Sequence, residues 1–327
     1  MGEIVARNLY EIEEQSGIFS GNLQQEFFDY IQAKPATKNT YMKGIKQFYL
    51  FLDVTGNKQP DMKTIIEFVD YLQHEQKDDF GEVIRKASKP ATVNLYLTAV
   101  KLFFQWLEDN GIYSNVARRV KRIKVDNNYH KRDYLTADQS RDVLEGIDRS
   151  NEKGLRDYAI ISLMLTTGLR DIEVMKANVE DFRAVRGYMA LFVKGKGYNE
   201  GNVEFVKVGR KTEKAIREYL NARKARDGEA LFTSVSNRDA GRRMTTRSIS
   251  RIAKGCMIAA GYESDRLTAH SMRHTAATLN MSNGGTLHET QQLLRHSNIN
   301  TTLIYSHDIT RDNNNSAYRV EAAIMGA

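Results

Sequence analysis

The sequence predicts a mainly α protein with a small antiparallel β-sheet, an α+β architecture built from two domains. Three observations carry that expectation. The 327 residues are more than one hydrophobic core comfortably organises. The first third holds two similar helical stretches in register at a fixed offset, and three short runs of β-branched and aromatic residues interrupt helical periodicity further on.

The two similar stretches run from Pro35-Ala-Thr-Lys-Asn-Thr-Tyr to Gly56 and from Pro90-Ala-Thr-Val-Asn-Leu-Tyr to Gly111. Each places Pro at a helix start, apolar residues at 3.6 periodicity and Gly at the end, the arrangement that opens and stops a helix. Ile45, Phe48 and Leu52 in the first match Val100, Phe103 and Leu107 in the second. Two related units and chance likeness between amphipathic helices both fit, and both give an all-helical region. Further helices are predicted from about Leu23 to Ala33 and from about Asp61 to Gln76. The basic stretch Arg118, Arg119, Lys121, Arg122, Lys124, continued by Lys131 and Arg132, loses apolar periodicity and reads as a linker. A solvated connector is one reading of it, and a cationic strap along a phosphate backbone is the other.

A second domain is expected from Tyr134. Leu135-Thr136 caps a helix through Ile147, a buried helix runs from Leu155 to Thr167, Gly168 ends it and Arg170 opens the next. Strands are predicted over Phe182–Val185, Tyr188–Val193 and Val203–Val208, the last two joined by a glycine-rich turn, with helices resuming near Arg210. The resulting division is an N-terminal extension at 1–20, a helical domain at 21–120, a linker at 121–133, a second domain at 134–310 and a tail at 311–327.

A formal charge of +7 and a pI near 9.2 favour a polyanionic partner, nucleic acid before an anionic membrane surface. The most apolar run, Ala159 to Leu165, is far short of the roughly 20 residues a spanning helix needs, so no membrane partner is expected. The N-terminus is rich in glutamate and has no apolar signal segment. Cys256 is the one cysteine; it excludes an intramolecular disulfide, points to a reducing, cytoplasmic setting and reads as helix packing.

The chemistry-bearing residues lie in the second half. Arg170 and Glu173 stand at i and i+3, so a carboxylate can hold a guanidinium for a phosphate; an ordinary surface ion pair is the bland alternative. His270 and Arg273 share the same spacing and put an acid/base group beside a second phosphate fork. His270 and His274 are also at i and i+4, a metal spacing, yet the stretch lacks the glutamate of a metalloprotease helix. Lys196, between Gly195 and Gly197, can protonate a leaving oxygen from a hairpin tip, and Lys194 competes for that assignment. His296 and Tyr305 follow nine residues apart. Two guanidiniums, two imidazoles and a tyrosine suffice to break a phosphodiester covalently with no metal and no cofactor.

These residues stand in Thr-Thr-Gly-Leu-Arg170-Asp-Ile-Glu173, Lys-Gly-Lys196-Gly, His270-Ser-Met-Arg273-His-Thr and Leu-Leu-Arg-His296-Ser-Asn-Ile-Asn-Thr-Thr-Leu-Ile-Tyr305. In them the chain resembles the tyrosine recombinases, the integrase and Xer class of site-specific DNA recombinases, over roughly Tyr134 to His307. The resemblance implies a C-shaped clamp on duplex DNA acting as a homotetramer on paired recombination sites, through a 3′-phosphotyrosyl intermediate and a Holliday junction. It makes Tyr305 the nucleophile, Lys196 the acid for the 5′ oxygen, Arg170 and Arg273 the holders of the non-bridging oxygens, His270 an acid/base partner and His296 a supporting group. It also gives Tyr318 to Met325 a place in a neighbouring subunit, admits an accessory or directionality protein, and puts the protein in the cytoplasm, on the nucleoid when bound to DNA.

Two positions depart from the family pattern. Arg295 stands where glycine is frequent, and Tyr198-Asn-Glu200 stands where a basic residue is frequent. The span before Leu23 leaves no room for a separate arm-binding domain. A type IB topoisomerase uses a similar residue set, and a regulator that has lost catalysis would keep the fold alone; the intact set and the short helical domain favour recombination.

Overall fold

The computed structural model describes residues 23–78, 80–125, 133–193, 204–236, 239–303, 305 and 316–326. The chain divides into two compact units, Met1–Asn128 and Tyr129–Ala327.

The first unit contains α1 (Leu23–Tyr30), α2 (Pro35–Thr55), α3 (Met62–Gln73), a hairpin of β1 (Gln76–Lys77) and β2 (Val83–Arg85), and α4 (Pro90–Asp109). The two similar stretches are α2 and α4. Each begins with Pro in its first turn after an extended lysine, Lys34 or Lys89, because the ring presets helical φ and pushes the preceding residue out of the helical region. Gly56 at φ 65° and Gly111 at φ 67° turn the chain away at their ends. The helices pack on each other at Gly44, where an added Cβ would come within 3.0 Å of the Tyr96 Cα and 3.2 Å of the Ala99 Cβ. Ile45, Phe48, Leu52, Val100, Phe103 and Leu107 are all buried in that seam, as the pattern predicts. Edge-to-face pairs such as Phe27–Phe103 and Phe48–Phe68, each with centroids 5.1 Å apart, fill the space between the helices.

The sequence places no strands here, but β1 and β2 form an antiparallel hairpin. Arg85 fastens it to the end of α3: its guanidinium lies over the Tyr71 ring and donates to the carbonyls of Tyr71 and, at 2.8 Å, His74. That hydrogen-bonds carbonyls a helix C-terminus leaves open. At the tip, Phe80 is 92% exposed. Residues 61–82, which span α3 and the turn, carry seven carboxylates against two lysines in an otherwise basic protein.

Basic residues expected in the linker are held against α4 as far as Ile123. Asn94 Nδ2 donates to the Ile123 carbonyl and Asn94 Oδ1 accepts its N–H, both at 2.9 Å, while Val120 is buried. Arg118 pairs with Glu108, and Arg122 donates to Thr98 Oγ1 at 3.0 Å.

In the second unit, α5 (Ala137–Glu145) starts from a Thr136–Gln139 capping box and α6 (Glu152–Thr167) follows. The latter is apolar on almost every side, as a central helix must be, and packs against the helices at Arg210–Ala222 and Ala269–Ser282. After α7 (Asp171–Lys176) come β3 (Phe182–Val185), β4 (Tyr188–Val193) and β5 (Glu204–Lys207), an antiparallel sheet in that order with Leu191 opposite both Phe182 and Val206. Arg186 and Gly187, both at positive φ, make the two-residue turn between β3 and β4. The chain continues through α8 (Arg210–Ala222), α9 (Thr246–Ala259), α10 (Ala269–Ser282), α11 (Leu287–Leu294), α12 (Asn300–Leu303) and α13 (Ser316–Met325). Cys256 lies on α9 half-buried, its thiol pushed up to about 11 by burial and then by Asp157, as suits a packing residue. On α13, Tyr318, Val320, Ile324 and Met325 are exposed. Among the described residues no helix is long and apolar enough to cross a membrane.

Candidate active site

Gly168 organises one side of the site. It ends α6 in the left-handed conformation at φ 62°, and an added Cβ there would lie 2.7 Å from Leu294 Cδ2. The chain then turns through buried Leu169 and delivers Arg170 to the N-cap of α7. Glu173, one turn later, accepts from the Arg170 backbone N–H at 2.7 Å through Oε2 and from Arg170 Nη1 at 2.9 Å through Oε1. The i, i+3 spacing therefore does what the sequence predicts, and the pair is not an ordinary surface bridge, because the Glu173 side chain is buried.

Arg273 projects from α10 and is 1% exposed. Nη1 donates to the Gly168 carbonyl at 2.6 Å and Nη2 to the Leu294 carbonyl, so the guanidinium ties the α6 end to the α11 end. Its Nε has no acceptor among the described residues, a donor whose burial is costly unless an acceptor arrives. Burial, and next the Arg170 charge, pull this guanidinium down to about 10, with Glu173 opposing. It remains a cation at neutral pH. His270, one turn earlier on α10, is exposed and lines an open cleft of about 510 Å³ together with Leu169, Arg170, Lys254 and Arg273.

Arg295 caps α11 at φ 53° and points inward. Its Nη2 donates to Glu173 Oε2 at 2.7 Å and its Nη1 to the Leu293 carbonyl at 2.9 Å. Burial alone would raise the Glu173 carboxyl. Arg295, the Arg170 backbone N–H and the Arg170 guanidinium outweigh it and hold the carboxyl below its ordinary value. His296 follows, its Nδ1 2.9 Å from Thr302 Oγ1 on α12.

Tyr305 is 6% exposed. Its ring meets that of His274 edge-on at 4.6 Å between centroids and lies parallel to that of His296 at 6.3 Å. His274 in turn stacks on Tyr134 at 5.8 Å. The sequence suggests His274 only as a partner of His270 for a metal, whereas the fold uses it as a wall for the tyrosine. Nor does the sequence give Arg295 a partner, since Glu173 lies 122 residues earlier.

Of the predicted set, Arg170, Glu173, His270, Arg273, His296 and Tyr305 come together around the α6, α10 and α11 ends. Lys196, its competitor Lys194 and the basic residues Lys131 and Arg132 lie outside the described residues. Arg118, Arg119, Lys121, Arg122 and Lys124 are exposed on the first unit.

Residues 133–311, more than half of the chain, match the Phage integrase family, and residues 23–113 match its N-terminal SAM-like domain. The chain belongs to the phage integrase family of tyrosine recombinases. Among curated family members, it is 33% identical over 231 residues to tyrosine recombinase XerC of Corynebacterium glutamicum, covering 69% of this chain and 71% of that one. It is 31% identical over 280 residues to tyrosine recombinase XerC of Thermodesulfovibrio yellowstonii, covering 83% and 85%. In fold it is similar to the XerH site-specific recombinase bound to palindromic difH substrate in a post-cleavage complex, with TM-score 0.68 and 21% identity over 92% of this chain and 83% of that one. The lambda integrase tetramer bound to a Holliday junction gives TM-score 0.61 and 18% identity over 85% and 77%. For this integrase-family chain, those likenesses identify a helical N-terminal fold and a mixed C-terminal fold of recombinase type.

Proposed function

We propose that this site-specific DNA recombinase breaks one strand through Tyr305. The phenolic oxygen attacks the scissile phosphorus, the bond to the 5′ oxygen breaks, and the 3′ end stays on the protein as a phosphotyrosyl ester. A returning 5′ hydroxyl reverses the sequence and rejoins the strands, so the bond energy is conserved. The observation that carries this reading is the gathering of Arg170 and Arg273 about His296, whose ring lies beside that of Tyr305, with Arg170, Arg273 and His270 lining one open cleft. Two guanidiniums there are suited to neutralising the charge that grows on a pentavalent phosphorus.

In this reading His270 serves as the acid/base partner, and His296, fixed by Thr302, hydrogen-bonds the transition state. Lys196 is assigned to the leaving 5′ oxygen on the strength of its motif. The exposed basic residues Arg118, Arg119, Lys121, Arg122 and Lys124, with Lys131 and Arg132, are assigned to the phosphate backbone. Paired sites and a homotetramer, with the exposed apolar α13 docked on a neighbour, complete the proposal, as does an accessory or directionality protein. The lambda integrase tetramer on a Holliday junction supports the assembly by likeness of fold.

The test is covalent capture. Wild-type protein and Tyr305→Phe are incubated with fragments of the source genome, denatured with detergent, and the attached DNA is sequenced. The expected outcome is a few discrete, paired sites trapped by the wild type alone, with DNA binding retained in Tyr305→Phe. Adducts formed by Tyr305→Phe would remove Tyr305 as nucleophile, and scattered attachment would favour a relaxing topoisomerase.

A further inference from the structure

Two guanidiniums share one carboxylate in this site. Glu173 Oε2 accepts from the Arg170 N–H at 2.7 Å and from Arg295 Nη2 at 2.7 Å, while Oε1 accepts from Arg170 Nη1 at 2.9 Å. The Arg295 and Glu173 side chains are each 5% exposed, so water screens neither. Arg295 also occupies φ 53°, a backbone conformation that favours glycine and that a long side chain adopts only where its contacts outweigh the strain. Those contacts are Glu173 and the Leu293 carbonyl, so a residue on the α11 end is spent on holding a carboxylate of α7.

The charge balance follows. With Glu173 alone beside it, the Arg170 guanidinium would be an internally cancelled pair, poorly suited to gripping a phosphate. With Arg295 present, one negative charge is divided between two positive ones. We propose that Arg295 is a positioning residue that takes up half of the Glu173 carboxylate and so leaves the Arg170 guanidinium oriented and electrically free for the scissile phosphate. Arg295 acts through Glu173 and does not itself touch the reacting atoms.

This inference rests on the reading of the site as a phosphodiester-cleaving centre, and the experiment separates the two. Single-turnover formation of the covalent adduct is followed on nicked duplexes carrying a site captured by the wild type, across a pH series, for Arg295→Met, Arg295→Gly and Glu173→Gln/Arg295→Met. Arg295→Met and Arg295→Gly are expected to slow the step roughly 10- to 100-fold, the range for removing a charge-assisted hydrogen bond from a buried site. Arg295 leads the charges that hold the Glu173 carboxyl down, with Arg170 behind it and Arg273 also facing it, so in both variants Glu173 takes up a proton at higher pH and the deficit against the wild type should shrink as pH falls through that range. Replacing Glu173 with the neutral amide should restore much of the rate to Arg295→Met, because nothing is then left to cancel Arg170. Arg295→Gly guards against a folding artefact, since glycine relieves the backbone at that position.

Wild-type rates in Arg295→Gly would overturn the proposal. So would a slowed step whose deficit is the same at every pH and is not rescued by the amide, which is what a purely structural role gives. No adduct from the wild type on DNA that it binds would overturn the reading of the site and this inference with it.

Discussion

The His296 imidazole is pushed down to about 4, by burial first and then by Arg273, Arg170, His270 and Arg295. At neutral pH it is an uncharged ring, able to give one hydrogen bond but adding no charge to a site already rich in cations. An NMR titration of the free protein is expected to place its midpoint near 4; a midpoint at the ordinary 6.5 would take the ring out of the arginine field. The sign of its effect on stability is fixed by that depression. Between about 6.5 and 4 the unfolded chain binds a proton that the folded ring refuses, so the contribution is complete above 6.5 and disappears as pH falls toward 4. At this scale the sequence is readable wherever partners are close in the chain. Arg170 with Glu173, and His270 with Arg273, follow from helical spacing. The Arg295–Glu173 pair and the His274 wall do not, because each joins residues that only the tertiary fold brings together.

Gly168 couples two elements to the chemistry, since the same residue ends α6, accepts from Arg273 and gives Leu294 the space to pack. Gly168→Ala meets both a left-handed backbone and a crowded neighbour, and is expected to lower stability by about 1–3 kcal/mol. A denaturant titration measures that change; an unchanged midpoint would mean that the α6 end is less tightly packed than its neighbours imply. The order of helices and strands is legible in the sequence because their cues are local. Pro35 and Pro90 fix two helix starts, Gly56 and Gly168 two stops, and runs containing valine and aromatic residues mark β3 and β4. The β1–β2 hairpin is hidden for a physical reason. Strands of two and three residues are too short to show alternation, and what secures them is Arg85 on the α3 carbonyls, an interaction with no signature in sequence.

Across the whole molecule the family and the two-part layout can be read from motifs, whereas base preference depends on groove interactions that no motif encodes. The exposed Arg119 and Lys121 offer a test at this scale. Replacing both with alanine is expected to flatten the dependence of log affinity on log salt by roughly 0.9 for each phosphate no longer neutralised, alike for every DNA sequence. An unaltered slope would detach this tract from the duplex. The seven carboxylates and two lysines of residues 61–82 then acquire a meaning that no single ion pair gives them. Within the first unit, an acidic helix and hairpin and an exposed basic tract make a charge separation on which a polyanion's field would exert a torque. That unit would be turned before it arrives, with the Phe80 tip trailing away from the phosphates. Encounters are thus sorted by orientation at a distance, and added salt would slow productive arrival by blurring that sorting even where the final grip is unchanged.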